Sequence, residues 1–157
     1  MELKLEGWKG DVAWILITIV VVLALNTGLK LALHTDSPLV IVVSGSMEPV
    51  FYRGDVVLLE GVSPQNIKVG DVVVYKRPYT KYPIIHRVRA IEKIEINGQQ
   101  RLCFVIQGDN NPVPDPGLVG SPYLDCIPGD VIEAKALLVF PKIGLIPLEI
   151  REKLGLG

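Results

Sequence analysis

The sequence contains little cysteine, little histidine and no excess of charge of either sign. Only two of its 157 residues are cysteines, and they form no Cys-x-x-Cys pair, which argues against a disulfide-dense scaffold and a cysteine zinc site. The 16 basic and 17 acidic side chains nearly cancel, so the chain lacks the basic surface of a nucleic-acid binding protein and we expect no nucleic-acid partner. The two histidines have no second ligand at metal-binding spacing, so we expect no metal and no other cofactor.

One long hydrophobic run lies near the N-terminus. Residues 12–25 include a single polar side chain, Thr18, and the run extends to 18–22 residues with a few polar interruptions. A helix of that length spans about 27–33 Å, close to the hydrocarbon thickness of a bilayer. A buried core helix and a cleaved signal peptide are the alternatives, but both are usually shorter and no A-x-A site follows the run. We therefore predict one uncleaved membrane anchor, residues 1–34.

The charges that flank this run predict its orientation. Lys4, Lys9 and the terminal amine precede the run, and only Lys30 lies close to its other end. Acidic residues count little in the positive-inside bias. The small basic excess on the N-terminal side predicts a single-pass protein of the cell membrane, with a cytoplasmic N-terminus and the remaining chain outside the cytoplasm.

Residues 35–157 have the pattern of a β-rich domain. Short runs of Val, Ile and Leu alternate with Gly-Asp or Pro, as strands alternate with turns in a sandwich or barrel. The segment 108–122 contains four prolines and three glycines, which predicts a long loop, and 136–150 is expected to be strand followed by surface chain. The expected fold class is mainly β, with a single N-terminal transmembrane helix followed by this domain. The predicted strands are 39–43, 55–59, 71–75, 84–96, 102–107 and 130–140.

Three polar segments carry the side chains of a serine hydrolase. The SGS segment at 44–46 follows a predicted strand, where a serine hydroxyl is exposed and a second hydroxyl or a backbone N–H can face an oxyanion. His86 lies in a predicted strand, and an imidazole is well suited to remove a hydroxyl proton. Asp109 and Asp115 lie in the proline-rich segment, and either carboxylate could orient the imidazole. Each pattern also occurs in ordinary turns and strands, so the residues alone leave the function open.

Together these segments resemble the type I signal peptidases of the archaeal and endoplasmic-reticulum kind. SGSMEP, GDVVVY, IIHRV and GDNN occur in the order found in that family, behind a single hydrophobic span, and cover roughly residues 40–135. The resemblance implies a signal-peptidase-like catalytic domain at 35–157 and a membrane-bound serine endopeptidase that removes signal peptides from secretory preproteins. The partners it implies are those signal peptides, the lipid bilayer and the protein-translocation machinery.

The resemblance also implies a role for each site residue. Ser46 matches the nucleophile, His86 the general base and Asp115 the third member of the triad. Ser44 matches the residue whose hydroxyl forms the oxyanion hole together with the Ser46 backbone N–H. Asp109 of GDNN is then a nearby supporting carboxylate.

Two alternative functions have to be weighed against this one. A Ser–Lys protease would use Lys76 or Lys81 as its base, but such a lysine has to be buried and both lie in a polar segment. A non-catalytic, membrane-anchored β module that binds other secretory proteins would carry the same side chains without bringing them together.

The sequence leaves the state of the two cysteines and the surface that contacts the substrate open. Cys103 and Cys126 are either bonded to each other or buried as thiols, and the sequence does not decide between these states. The apolar residues close to the SGS segment are candidates for contact with a bound peptide, although each could equally belong to the core or face the membrane. They are Met47, Pro49 and Phe51.

Overall fold

The structure is a computed structural model that describes residues 7–118 and 125–155. Its first element is the helix α1, Trp8–Leu33, which ends at His34 in a left-handed conformation. An 18-residue window of α1 has a mean hydropathy of 2.4 and no buried residue. The helix is therefore long and apolar enough to cross a membrane, and it lacks the buried face that the core helix of a soluble domain has.

Within the described residues, seven antiparallel strands form one sheet behind this helix. The order across the sheet is β1-β2-β7-β3-β4-β5-β6, so the last strand of the chain lies between β2 and β3. Register shifts in the β2–β7, β3–β7 and β4–β5 pairs mark irregularities of the kind that increase twist and curl a sheet. The strands are β1 (Leu39–Ile41), β2 (Val56–Gly61), β3 (Val72–Tyr75), β4 (Ile84–Ile96), β5 (Gln99–Gln107), β6 (Ile127–Pro128) and β7 (Ile132–Phe140).

β3 is buried on both faces and separates two hydrophobic clusters. Val72 and Val74 belong to the first cluster, whereas Val73 and Tyr75 belong to the second. An unbroken apolar run such as VVVY is the pattern of a strand buried on both faces. The other buried members of the first cluster are Val42, Met47, Phe51, Val57, Leu59 and Ala134, and those of the second are Ile67, Val88, Phe104, Ile106, Ile127 and Ile132.

The predicted fold class is confirmed, because a β-rich body follows an apolar N-terminal helix. β4 has the predicted bounds, and the other predicted strands are present with ends that differ by one to three residues. β4 and β5 form a hairpin that turns at Asn97 and Gly98, which both have positive φ, as a two-residue type I′ turn requires.

The structure corrects the prediction for the C-terminal segment. After β7 the chain forms a second helix, α2 (Leu145–Lys153), where surface chain was expected. α2 accommodates Pro147, although proline breaks a helix interior, because Pro147 is its third residue, where a backbone N–H has no intrahelical partner to lose. The first residues of the predicted strand 130–140 also differ, because they form the 3₁₀ turn Gly129–Val131.

The proline-rich segment is irregular where it is described. Residues 108–118 form neither helix nor strand, as predicted, and 119–122 lie outside the described residues. Cys103 in β5 forms a disulfide with Cys126, which answers the question that the sequence left open. The disulfide therefore joins the chain that follows this segment to β5.

Candidate active site

Ser46 lies in a series of turns that connects β1 with β2. Met47, next to it, is fully buried in the first hydrophobic cluster, and Phe51 joins the same cluster at the end of the turns. The backbone N–H groups of residues 50 and 51 both donate to the Met47 carbonyl. These contacts fix the segment to the body and leave Ser46 partly buried, with Ser44 exposed beside it.

The imidazole of His86 connects Ser46 with Asp115. Its Nε2 lies 2.9 Å from Ser46 Oγ, and its Nδ1 lies 2.5 Å from Asp115 Oδ2. The side chains of His86 and Asp115 are each only 9% exposed. With a proton on Nδ1, the ring donates to the carboxylate and its Nε2 lone pair accepts from the serine hydroxyl. The predicted nucleophile, base and one predicted carboxylate therefore lie within hydrogen-bond distance of one another.

Asp115 is held in place although its segment has no regular structure. Its backbone N–H donates to the carbonyl of Ile106 in β5 at 2.7 Å. The hydroxyl of Tyr75 donates to Asp115 Oδ2 at 2.8 Å, and burial raises the pKa of Tyr75 far above its ordinary value, so this hydroxyl keeps its proton. Arg77 donates to the carbonyl of the next residue, Pro116, at 2.5 Å.

Asp109 forms ion pairs with two arginines on the strand that carries His86. Arg87 donates to its carboxylate through both Nε and Nη2, at 2.8–3.1 Å, and Arg89 donates through Nη2 at 2.9 Å. The hydrogen bonds from Arg87 are the main reason that the pKa of Asp109 lies below its ordinary value. Of the two candidate carboxylates, Asp115 is thus the one that reaches the imidazole Nδ1, and Asp109 ties the GDNN segment to β4.

The GDNN segment also holds the Ser46 segment directly. The backbone N–H of Asn110 donates to the Ser46 carbonyl at 2.9 Å, and its Nδ2 donates to the Gly45 carbonyl at 3.0 Å. A Cβ atom at Gly108 would lie 2.6 Å from the Ser46 carbonyl oxygen, so this close approach requires glycine. Sequence reasoning did not single out Asn110, although the GDNN motif contains it.

An apolar groove of about 540 Å³ reaches this site. One side is formed by β1 and the residues after it, and the other by the beginning of β4. Leu148 and Arg151 of α2 close part of the groove, where Arg151 donates to the Tyr82 hydroxyl at 2.9 Å. Another cavity, of about 590 Å³ beside the β4–β5 hairpin, contains none of the predicted site residues. The groove residues are Val40, Ile41, Val42, Val43, Ser44, Ser46, Val74, Tyr82, Pro83, Ile84, Ile85, His86, Leu148 and Arg151.

Two of the three residues considered for substrate contact are too deeply buried to touch a bound peptide. Met47 is 0% exposed and Phe51 is 5% exposed, because both belong to the first hydrophobic cluster. Pro49 is exposed but does not line the groove. Met47 and Phe51 are therefore core residues, which is one of the alternatives that the sequence left open, and they fix the turn that carries Ser46.

Ser44 lies beside the nucleophile, and the two alternative bases lie on the surface. Ser44 Oγ lies 3.2 Å from Ser46 Oγ, so the hydroxyl predicted for the oxyanion hole lies beside the nucleophile. Lys76 and Lys81 are both exposed, as their polar segment predicted. In residues 7–118 and 125–155, no group of three or more His, Cys, Asp or Glu side chains is placed to hold a metal ion.

Comparison with known proteins decides the family. The model of the family described as signal peptidase, peptidase S26, matches residues 11–118, more than half of the chain. The chain belongs to the signal peptidase family. The matched range contains most of α1 and all five predicted site residues, and the resemblance inferred from the four motifs is confirmed.

Three signal peptidase relatives show how far the likeness extends. The signal peptidase complex catalytic subunit SEC11 of Komagataella phaffii is 40% identical over 136 residues, which are 82% of this chain and 78% of that protein. SEC11 of Schizophyllum commune is 40% identical over 103 residues, 58% of this chain and 53% of that protein. SEC11C of Homo sapiens is 37% identical over 123 residues, 77% of this chain and 61% of that protein. The chain thus spans between about half and four fifths of the length of these relatives.

Proposed function

We propose that this chain is a membrane-bound serine endopeptidase that removes signal peptides from secretory preproteins. One observation carries the proposal: Ser46 Oγ, the His86 ring and Asp115 form a continuous hydrogen-bonded series where an apolar groove reaches the surface. Membership of the signal peptidase family supports it, and the relatives above carry the name of catalytic subunits of a signal peptidase complex.

In the proposed mechanism His86 moves the protons. Its Nε2 accepts the proton of Ser46 as Oγ attacks the scissile carbonyl, and Asp115 stabilises the resulting imidazolium through Nδ1. The Ser44 hydroxyl and the Ser46 backbone N–H donate to the oxyanion. His86 then gives the proton to the leaving amine, and the same nitrogen activates the water that hydrolyses the acyl-enzyme.

We infer that the substrate is an extended peptide with small side chains near the scissile bond. β1 is an edge strand of the sheet, so a bound peptide can add its backbone to that edge while its side chains enter the groove. Secretory signal peptides keep an apolar segment in the membrane and present a small-residue site just beyond it. A bulky residue placed directly before the scissile bond should therefore abolish cleavage.

We further propose that residues 1–34 anchor the chain in the cell membrane. Residues 35–157 are then the catalytic domain and lie outside the cytoplasm. Ser46 follows His34 by 12 residues, so it lies at most about 40 Å from the end of α1. The disulfide supports an oxidising compartment for the body. The proposed partners are secretory preproteins, the bilayer, the translocation machinery and further subunits of a complex.

The function is tested with purified Ser46→Ala and His86→Ala variants in detergent, with a secretory preprotein as substrate. Both variants should cleave at background rates, because each removes one of the two groups between which the proton moves. Near-normal cleavage by either variant would refute the assignment. If the unchanged chain cleaves no preprotein at all, the non-catalytic β module becomes the better interpretation.

The choice of base is tested separately by changing Lys76 and Lys81 to alanine in one chain. Both side chains are exposed, so this variant should fold and cleave the preprotein at the rate of the unchanged chain. Inactivity of the double variant would support an amine base. Loss of cleavage only on replacement of His86 supports the imidazole.

The orientation is tested by adding a protease to intact spheroplasts that contain the chain. The proposed orientation predicts that the body, residues 35–157, is digested and that a fragment containing α1 stays protected. Protection of the body until the membrane is permeabilised would show the opposite orientation.

A further inference from the structure

Two hydrogen-bond donors meet at one oxygen of the buried carboxylate in the proposed triad. Asp115 Oδ2 lies 2.5 Å from His86 Nδ1 and 2.8 Å from the hydroxyl oxygen of Tyr75. Tyr75 is 0% exposed and comes from β3, 40 residues away from Asp115 in the sequence. The proposed mechanism assigns no role to this tyrosine.

Packing explains the ring of Tyr75 but not its hydroxyl. The ring belongs to the second hydrophobic cluster, where a phenylalanine would fill nearly the same volume. A buried hydroxyl needs a hydrogen-bond partner, and here it donates to a carboxylate. A bond between a neutral donor and a charged acceptor is stronger than one between neutral groups, so it constrains the carboxylate more firmly.

The carboxylate of Asp115 needs such a constraint because the irregular segment that carries it restricts its orientation only weakly. Residues 108–118 form neither helix nor strand, and the backbone of Asp115 is fixed by one hydrogen bond to Ile106. Without a second donor, the carboxylate could rotate about its χ angles while its backbone stayed in place. Arg77 supports the same corner, since it donates to Pro116 and lies 5.7 Å from the ring of Tyr75.

We propose that Tyr75 is a positioning residue of the proposed hydrolase, whose hydroxyl holds the Asp115 carboxylate against Nδ1 of His86. The inference rests on the proposed function. Tyr75 does not line the groove, and its hydroxyl, which also accepts from Arg77 Nη2 at 3.4 Å, reaches the imidazole through Asp115. Its hydroxyl also withdraws negative charge from the oxygen that faces the imidazole, so it sets how strongly Asp115 favours the protonated ring.

The test compares Tyr75→Phe with the unchanged chain and with the control Tyr79→Phe, whose residue is 88% exposed. We expect Tyr75→Phe to lower kcat roughly tenfold and to leave KM within about twofold, because the groove is untouched. The acid limb of its pH–rate profile should move to higher pH, because a carboxylate that has lost this hydrogen bond stabilises the imidazolium more strongly. Tyr79→Phe should change neither kcat nor the profile.

A double-variant cycle then shows whether Tyr75 acts through Asp115. Combined with Asp115→Asn, the Tyr75→Phe change should cost little further activity, because the carboxylate that it positions is gone. Equal losses in both backgrounds would overturn the proposal, as would a Tyr75→Phe variant with unchanged kcat and unchanged acid limb.

A second variant keeps the test decisive if Tyr75→Phe does not fold. Replacing Tyr75 by 3,5-difluorotyrosine keeps the ring in place and makes its hydroxyl a stronger donor, so the acid limb should move to lower pH. A limb that does not move, or that moves to higher pH, contradicts the inference. Failure of the unchanged chain to cleave preprotein would instead contradict the proposed function, which keeps the two failures distinguishable.

Discussion

At the residue scale, the polar groups of the site are held by partners that lie far away in the sequence. Ser46 and His86 are separated by 40 positions, and His86 and Asp115 by 29. The order of the motifs predicted the candidate site residues, but a local sequence pattern does not show how close residues so far apart in the chain lie in space. For this reason the residues by themselves could not choose between Asp109 and Asp115, which both lie in a segment without strand register, and only the family resemblance favoured Asp115. Their catalytic roles stay predictions, which the substitutions here are designed to test.

The Ser44→Ala substitution tests the predicted oxyanion hole. It removes a hydroxyl 3.2 Å from Ser46 Oγ, and the loss of one oxyanion donor costs about 3 kcal/mol of transition-state stabilisation. We expect kcat to fall roughly a hundredfold with little change in KM. Ser63, which is also exposed, supplies the control, because Ser63→Ala should leave steady-state kinetics unchanged. Full activity of Ser44→Ala would show that other donors bind the oxyanion.

The Asp109→Asn substitution tests the ion pairs behind the site through their pH dependence. Arg87 lowers the pKa of Asp109, so the charged carboxylate stabilises the fold above the ordinary carboxyl pKa of about 3.9. This stabilisation is lost as the pH falls through the lowered pKa. We expect Asp109→Asn to be about 1–2 kcal/mol less stable near neutral pH, since the Arg89 side chain is 43% exposed and contributes less.

Denaturant unfolding at a series of pH values measures this difference. The free energies of unfolding of the unchanged chain and Asp109→Asn should begin to converge below about pH 4, where the carboxylate of the unfolded chain binds its proton, and should meet below the lowered pKa of the folded chain. Asp130→Asn is the control, because Asp130 is exposed and its replacement should matter little at any pH. A difference that persists unchanged in acid would show that the amide disturbs packing rather than charge.

At the scale of the elements, the N-terminal helix and the longer strands were predicted from local patterns, whereas the helix α2 and the two-residue strand β6 were not. The VVVY run of β3 and the bounds of β4 follow from dense β-branched residues between turn residues, a local signal. The helix α2 was not predicted. It contains Pro147, which is compatible with a helix only in the first turn, and the sequence does not show that the helix begins at Leu145. Its contact with Tyr82 through Arg151 joins residues 69 positions apart, and only the folded chain reveals it.

The Gly61→Ala substitution tests the contact between α1 and β2. A Cβ atom at Gly61 would lie 1.9 Å from the backbone carbonyl oxygen of His34, which cannot move aside as a flexible side chain does. We expect Gly61→Ala to lower stability by about 1–3 kcal/mol, measured by thermal unfolding in detergent, and to speed proteolysis between α1 and β1. Gly28→Ala is the matched control, because nothing lies within 4 Å of its Cβ position. Equal behaviour of the two variants would contradict a tight junction.

At the scale of the whole molecule, the site is assembled from both hydrophobic clusters. Met47 fixes the Ser46 segment through the first cluster, and Tyr75 reaches Asp115 from the second. His86 lies between them on β4, opposite Val73 of the strand that separates the clusters. Both clusters therefore have to be packed correctly for Ser46, His86 and Asp115 to lie within hydrogen-bond distance. Substitutions that disturb the packing of either cluster should lower activity.

The disulfide between Cys103 and Cys126 closes the loop that carries Asp109 and Asp115, and its contribution to stability can be tested. Cys103 and Cys126 are separated by 23 positions and both are buried. Closing a loop of this length removes conformational freedom from the unfolded chain and stabilises a fold by about 3 kcal/mol. A double Cys103→Ser, Cys126→Ser variant should lose roughly that amount, and a reductant should destabilise the unchanged chain similarly while leaving the variant unaffected. If the reductant does not change the unfolding of the unchanged chain under conditions that expose the sulfurs, the disulfide contributes no stability. The hydrogen bonds and ion pairs of the Pro-rich segment, such as those from Arg87 to Asp109 and from Tyr75 to Asp115, then hold it in place.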